Sequence, residues 1–119
     1  MLNMVLMILH VSSVFANPIE IDSKLFFQGV KIGSPRVMAN NGEKAKILMT
    51  DQKQSREYSL EVKPKYYGNN IIQLDYNLVI KEKKNEFMSR GVIELNNNNQ
   101  ARILLDKGKV QIDFKLKSS

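Results

Sequence analysis

The chain has 119 residues, 18 basic and 12 acidic side chains, a net charge of +6, and neither cysteine nor tryptophan. Its one histidine, His10, lies in an apolar N-terminal stretch. The remainder therefore offers no side chains for a Ser-His-Asp or Cys-His nucleophile, the usual zinc sites, a thiol redox pair or the commonest haem ligation. Carboxylate, lysine, tyrosine and serine chemistry is left; no cofactor or metal is expected.

From Met1 to Ala16 the only polar residues are Asn3, His10, Ser12 and Ser13, and none is charged. Met4 to Leu9 forms an apolar core, and Val14 and Ala16 stand three residues and one residue before a cleavage point. That pattern predicts an export signal over residues 1–16, leaving residues 17–119 as one domain. The run is shorter than the roughly 20 apolar residues of a spanning helix and soon meets Pro18, so no stable membrane span is expected after signal removal. The predicted location is the periplasm, the outer membrane's periphery or the exterior. A domain of this size without disulfides fits a bacterial envelope better than the small disulfide-rich secreted proteins.

Beyond Pro18 the apolar period is two residues, with no helical stripe over three turns. Ile19 and Ile21 predict a first short strand, and Leu25 to Ile32 a second interrupted at Gly29. Pro35 to Ala39 enters the turn Asn40-Asn41-Gly42 and Glu43 to Thr50 leaves it; Asn-Gly between apolar runs predicts a type I′ hairpin. A polar loop, Asp51 to Arg56, precedes a strand from Tyr58 to Lys63 that Pro64 is expected to stop. Tyr66 to Asn70 turns the chain into Ile72–Ile80, the expected central strand. A charged loop from Lys81 to Glu86 leads to Phe87–Leu95, and Asn96 to Asn99 turns into Ala101–Leu105. After Asp106-Lys107-Gly108, the last strand has Val110, Ile112, Phe114 and Leu116 on one face and Lys109, Gln111, Asp113, Lys115 and Lys117 on the other.

A shift of fifty-six residues, counted along the chain, brings Val37 onto Ile93, Asn40-Asn41 onto Asn96-Asn97 and Ala45–Met49 onto Ala101–Leu105. Tyr58–Lys63 then matches Ile112–Lys117 in polarity, after a shorter loop. The predicted fold is all-β: a small antiparallel sandwich or rolled sheet of about 7–9 strands, built from two related β-meanders, neither of which buries its apolar face alone.

The same stretch carries a family resemblance. Ser34-Pro35-Arg36-Val37, then Asn41-Gly42-Glu43-Lys44-Ala45-Lys46-Ile47, then Leu60 to Pro64, then Asn70 to Asp75 resembles the β-rich domain of bacterial secretins over Ser34 to about Ile80. Leu48-Met49-Thr50 stands where secretins commonly place Val-Gly, the C-terminal Pro-x-Leu-Gly-x-Leu-Phe pattern is missing, and no ring-building domains precede the β-rich part. The resemblance implies a free-standing secretin-like module without the pore-forming parts, accessory to a secretion or pilus system.

The functional expectation is therefore a non-enzymatic, exported interaction module with an envelope protein as partner. The last strand is the predicted edge or face for that partner, presenting Lys109, Gln111, Asp113, Lys115 and Lys117. An alternative is an anionic polymer or small ligand held by a lysine-rich face, with Lys63, Lys65, Tyr66 and Tyr67 as the anion-binding set; a secreted effector or inhibitor is a third. Nucleic acid is not expected, because export and a mixed-sign surface count against it, although Tyr66 and Tyr67 beside Lys63 and Lys65 come closest to the interleaved basic and aromatic residues of a stacking platform. The Asn96–Asn99 tract reads as a turn, since only Glu94 and Asp106 flank it and calcium sites gather several carboxylates. Glu57, Glu61 and Asp75 read as wet-face residues of strands, with no cleft to make them a hydrolytic pair.

Overall fold

Two-residue periodicity becomes nine strands in the computed structural model, which describes residues 18–51 and 55–118; the predicted signal segment, residues 1–16, lies outside these. In chain order they are β1 (Pro18–Phe27), β2 (Val30–Gly33), β3 (Arg36–Asn40), β4 (Ala45–Asp51), β5 (Arg56–Gly68), β6 (Ile71–Glu82), β7 (Asn85–Asn96), β8 (Gln100–Leu105) and β9 (Val110–Ser118), with a 3-10 turn at Asp106–Gly108. One antiparallel sheet has the order β2-β1-β9-β8, with β3 continuing β2 along the same side of β1; the other has the order β4-β5-β6-β7. The chain is thus an up-and-down meander whose last strand pairs with its first. It changes sheet twice, between β3 and β4 and between β7 and β8.

The core lies between the sheets and is made of the alternate residues that the period selects. Ile19, Ile21 and Leu25 of β1, Leu60 and Val62 of β5, Ile72, Leu74, Leu78 and Ile80 of β6, and Val110, Ile112, Phe114 and Leu116 of β9 are all buried. Each such side chain contributes about 1.5–3 kcal/mol through removal from water. The inner strands carry this core, and the edge strands add half-buried residues such as Ile32, Met49, Phe87, Leu95 and Ile103.

Three polar or aromatic devices tie the sheets together. The Tyr58 hydroxyl donates to the Ile32 carbonyl across the sandwich. The Tyr76 and Phe114 rings pack with centroids 5.9 Å apart. At one end of the sandwich the Arg56 guanidinium lies 4.9 Å from the Phe27 ring centroid and 3.0 Å from Glu82. Where β2 gives way to β3, buried Ser23 donates both its backbone N–H and its hydroxyl to the Pro35 carbonyl, each at 2.9 Å. The sheet is pinned at the break.

The expected internal repeat is present as a spatial relation. Under the fifty-six-residue shift, β3 and β4 fall on β7 and β8, and both links use the same turn: Glu43 N–H donates to Asn40 C=O at 3.0 Å, and Asn99 N–H to Asn96 C=O at 3.0 Å. The third residue of each turn has positive φ, Gly42 at 84° and Asn98 at 69°. Each also donates across to the neighbouring inner strand, Gly42 to Pro64 C=O and Asn98 to Leu116 C=O, both at 2.7 Å. The pairing of Ala45 with Val62 and of Ala101 with Phe114 makes Tyr58 equivalent to Val110. The expected match of Tyr58 to Ile112 is therefore two residues out, which a period-two pattern cannot detect.

Five local expectations need correcting, the first being the turn at Tyr66 to Asn70, which shrinks to Asn69 and Asn70 because β5 runs to Gly68. The expected short first strand and the interrupted second one are divided elsewhere: Pro18–Phe27 is continuous as β1, and the interruption at Gly29 is a tight turn into β2, with Gln28 and Gly29 at φ 53° and 80°. Asn40-Asn41-Gly42 is a turn but not a hairpin, because β3 and β4 belong to different sheets and only Gly42 of the central pair has positive φ. The charged loop at Lys81 to Glu86 shrinks to Lys83 and Lys84, with Glu82 and Asn85 already paired. Pro64 does not end its strand. The β4–β5 ladder stops at Ala45 and Val62, so no strand requires a donor from Pro64, whose carbonyl takes the Gly42 N–H.

Candidate functional site

The last strand is not an edge. β9 is hydrogen-bonded to β1 on one side and β8 on the other, so strand addition at Lys109–Lys117 is closed. Its outer face remains, but the register matches its charges with those of β1: Lys117 faces Glu20, Lys115 faces Asp22 and Asp113 faces Lys24. Arg102 of β8 also reaches Asp113 at 3.0 Å. On the far side of β1, Arg36 lies 2.6 Å from Asp22 and 3.2 Å from Glu20, and the Asp22 hydrogen bond followed by both negative charges holds its guanidinium above the ordinary arginine value. Gln111 shares the face, while Lys109 sits in the preceding turn with its carbonyl accepting from Gln28 N–H at 2.6 Å. Lys115 and Lys117 therefore belong to a mixed-sign sheet surface and not to a uniformly cationic one.

The anion-binding set is divided by the strand period. Lys63, Lys65 and Tyr67 lie on the outer face of β5, whereas Tyr66 turns inward against the core. Lys65 is drawn over the Tyr67 ring, 5.2 Å from its centroid, and Lys63 is paired in register with Asp75. A depression of about 350 Å³ beside them is lined by cations and anions together, with Lys44, Lys63 and Arg90 interleaved with Glu61 and Asp75. Glu57 and Glu61 of β5 and Asp75 of β6 lie on one outer face, each with a basic cross-strand neighbour: Lys81, Lys46 and Lys63 respectively. Among the described residues no three His, Cys, Asp or Glu side chains group as a metal site, and no helix is long and apolar enough to cross a membrane.

The topology concentrates two residue types that sequence order scatters. The turns after β1, β6 and β8 lie at the end marked by the Arg56–Phe27 contact, bringing Lys31, Lys83, Lys84, Lys107 and Lys109 to one end of the sandwich. The opposite end collects Asn40, Asn41, Asn69, Asn70 and the Asn96–Asn99 tract. There the asparagines serve the backbone: Asn41 Oδ1 accepts the Tyr66 N–H at 2.8 Å, and Asn97 N–H donates to Asn70 C=O at 2.7 Å.

The two sheets have four edges among the described residues, and three are poor templates for another chain. The β2–β3 side is broken at Gly33–Pro35, β8 has six residues and β4 seven with Lys46 on its outer face. β7 differs. Its twelve residues pair with β6 without a bulge or proline, and no other described strand pairs with its second side. Glu82 and Asn85 close a two-residue turn, so the alternation of an antiparallel ladder directs the N–H and C=O groups of Glu86, Met88, Arg90, Val92 and Glu94 away from β6. Met88 and Val92 expose 60% and 59% of their surface, so this edge is also partly apolar.

No protein-family model matches the chain, and none of the characterised proteins compared with it shows significant sequence similarity.

Proposed function

We propose that this chain is a non-enzymatic, secretin-like interaction module of the bacterial cell envelope that joins other proteins by accepting a strand at β7. The carrying observation is a twelve-residue edge that has no bulge, proline or lysine and that no described strand covers, since native sheets ordinarily blunt an edge of that length by one of those means. Extended peptides bind such edges through main-chain hydrogen bonds, with alternate side chains adding specificity. The apolar, uncharged residues 1–16 support export, and the order of motifs from Ser34 to Ile80 supports an envelope setting. The test is capture from an envelope extract with the tagged chain, washed at physiological and then high salt, beside a Val92→Pro variant. Proline at position 92 removes a donor facing the free edge and no β6 bond. Envelope proteins retained at high salt by the parent and lost by the variant support strand addition; equal capture by both overturns it.

A second reading rests on the lysine-bearing end of the sandwich, which suits an anionic envelope polymer. Capture of such a polymer, abolished at high salt and unchanged by Val92→Pro, would favour it.

A further inference from the structure

We infer that β7 also recognises β7 of a second copy of this chain, in an antiparallel register centred on Val92; this rests on reading β7 as a recognition edge. An antiparallel edge that pairs with itself about a twofold axis must be compatible with its own reversed pattern, and the outward face of β7 alternates in sign along Glu86, Arg90 and Glu94, with apolar Met88 and Val92 between them. Only some registers satisfy that pattern. Centred on Arg90, the arginines meet each other and Glu86 meets Glu94, so every charged contact is repulsive. Centred on Gly91, Arg90 meets Val92 and Met88 meets Glu94, leaving the charges unmatched. Centred on Met88, Arg90 meets Glu86, but only residues 85–91 of each strand overlap. Centred on Val92, the two valines meet, Arg90 of each copy faces Glu94 of the other, and residues 88–96 overlap, giving the longest ladder with both charge pairs satisfied.

The backbone agrees with this choice. Val92 belongs to the residues whose N–H and C=O face the free edge, so the central pair exchanges two hydrogen bonds and the ladder runs outward from it in both directions. The inward side presents Gly91 opposite Ile93 of the other copy, so that isoleucine meets no side chain across the new ladder. The two four-stranded sheets then become one of eight strands, which removes the exposed edge from both copies. A single ladder is a small interface, so association on the order of 10–100 μM is expected.

Sedimentation equilibrium of the purified chain across that range tests the proposal, with a charge-exchange set and a cysteine probe. Arg90→Glu alone and Glu94→Arg alone should each weaken dimerisation roughly tenfold, because two like-charge contacts replace two attractive ones, while the double exchange should return to within about threefold of the parent. These positions are exposed on an outer face, and circular dichroism of each variant confirms that the sheet is retained. The chain has no cysteine, so Val92→Cys gives a single-thiol protein whose disulfide-linked dimer under mild oxidation reports the central pair. A monomer up to several hundred micromolar, or a double exchange that fails to restore association, overturns the self-pairing. Failure there, with Val92→Pro still abolishing capture of envelope proteins, separates a wrong partner from a wrong edge.

Discussion

Gly91 occupies an inward position on β7 that has no room for a side chain. A Cβ added there would stand 2.6 Å from the Tyr76 hydroxyl oxygen and 2.8 Å from two carbons of its ring, where ordinary contact begins at 3.4 Å. Tyr76 is buried and packs on Phe114, so the ring cannot swing into solvent to make way. Gly91→Ala should therefore displace either the ring or the strand by roughly 0.6–0.8 Å, an overpacking that costs typically 1–3 kcal/mol. The lower entropy of alanine in the unfolded chain returns about 0.4–1 kcal/mol. A net loss of about 1–2 kcal/mol is expected, read as a fall in the urea midpoint at unchanged slope. Because ring carbons as well as the hydroxyl are in the way, Tyr76→Phe should rescue the alanine variant in part and Tyr76→Leu more fully. A Gly91→Ala chain as stable as the parent, or a cycle with Tyr76 that shows no coupling, would refute the assigned packing of Tyr76 beneath β7.

Tyr58→Phe should cost about 1–3 kcal/mol, since it leaves the Ile32 carbonyl without the hydroxyl that crosses from the other sheet; thermal unfolding checks this, and the variant should keep the same strand content by circular dichroism. The two sheet-changing turns should respond in opposite senses to substitution. Gly42→Ala places a Cβ at φ 84° and should cost about 1 kcal/mol, whereas Asn98→Gly relieves a non-glycine residue at φ 69° and should be neutral or stabilising by a few tenths of a kcal/mol, both measured by urea titration.

Much of the fold was legible because one face of each long strand is buried. β6 and β9 read directly from their alternating residues, and the structure buries Ile72, Leu74, Tyr76, Leu78 and Ile80, then Val110, Ile112, Phe114 and Leu116. The repeat was legible for the same reason, and its two-residue offset error between β5 and β9 was invisible for the same reason too. Proline ordinarily ends a central strand, but at Pro64 the neighbouring strand ends first, which no local pattern reveals. At Asn41-Gly42 a tight turn between apolar runs has the same local signature whether the runs pair or part to different sheets.

The candidate site was legible in composition and not in place. The lysines of β9 were visible, but the acids that oppose them lie on β1, some ninety residues earlier in the chain, and only strand pairing brings Lys117 to Glu20 and Lys115 to Asp22. Tyr66 is adjacent in sequence to Lys65 and Tyr67, but the pleat sends it to the opposite face. The alternation in β7 specifies a strand and carries no sign that it bounds a sheet.

The sequence by itself determined the β class, the buried face of each long strand and the absence of histidine and cysteine chemistry after His10. All of these are local consequences of residue type and two-residue spacing. Only the tertiary structure decided which strands are inner and which are edges, which lysines share an end, and which charges cancel. Those properties depend on pairing between segments distant in the chain. Apolar alternation requires each strand to bury one face, but it is the same for an inner strand and for an edge, and so does not specify the neighbours on either side.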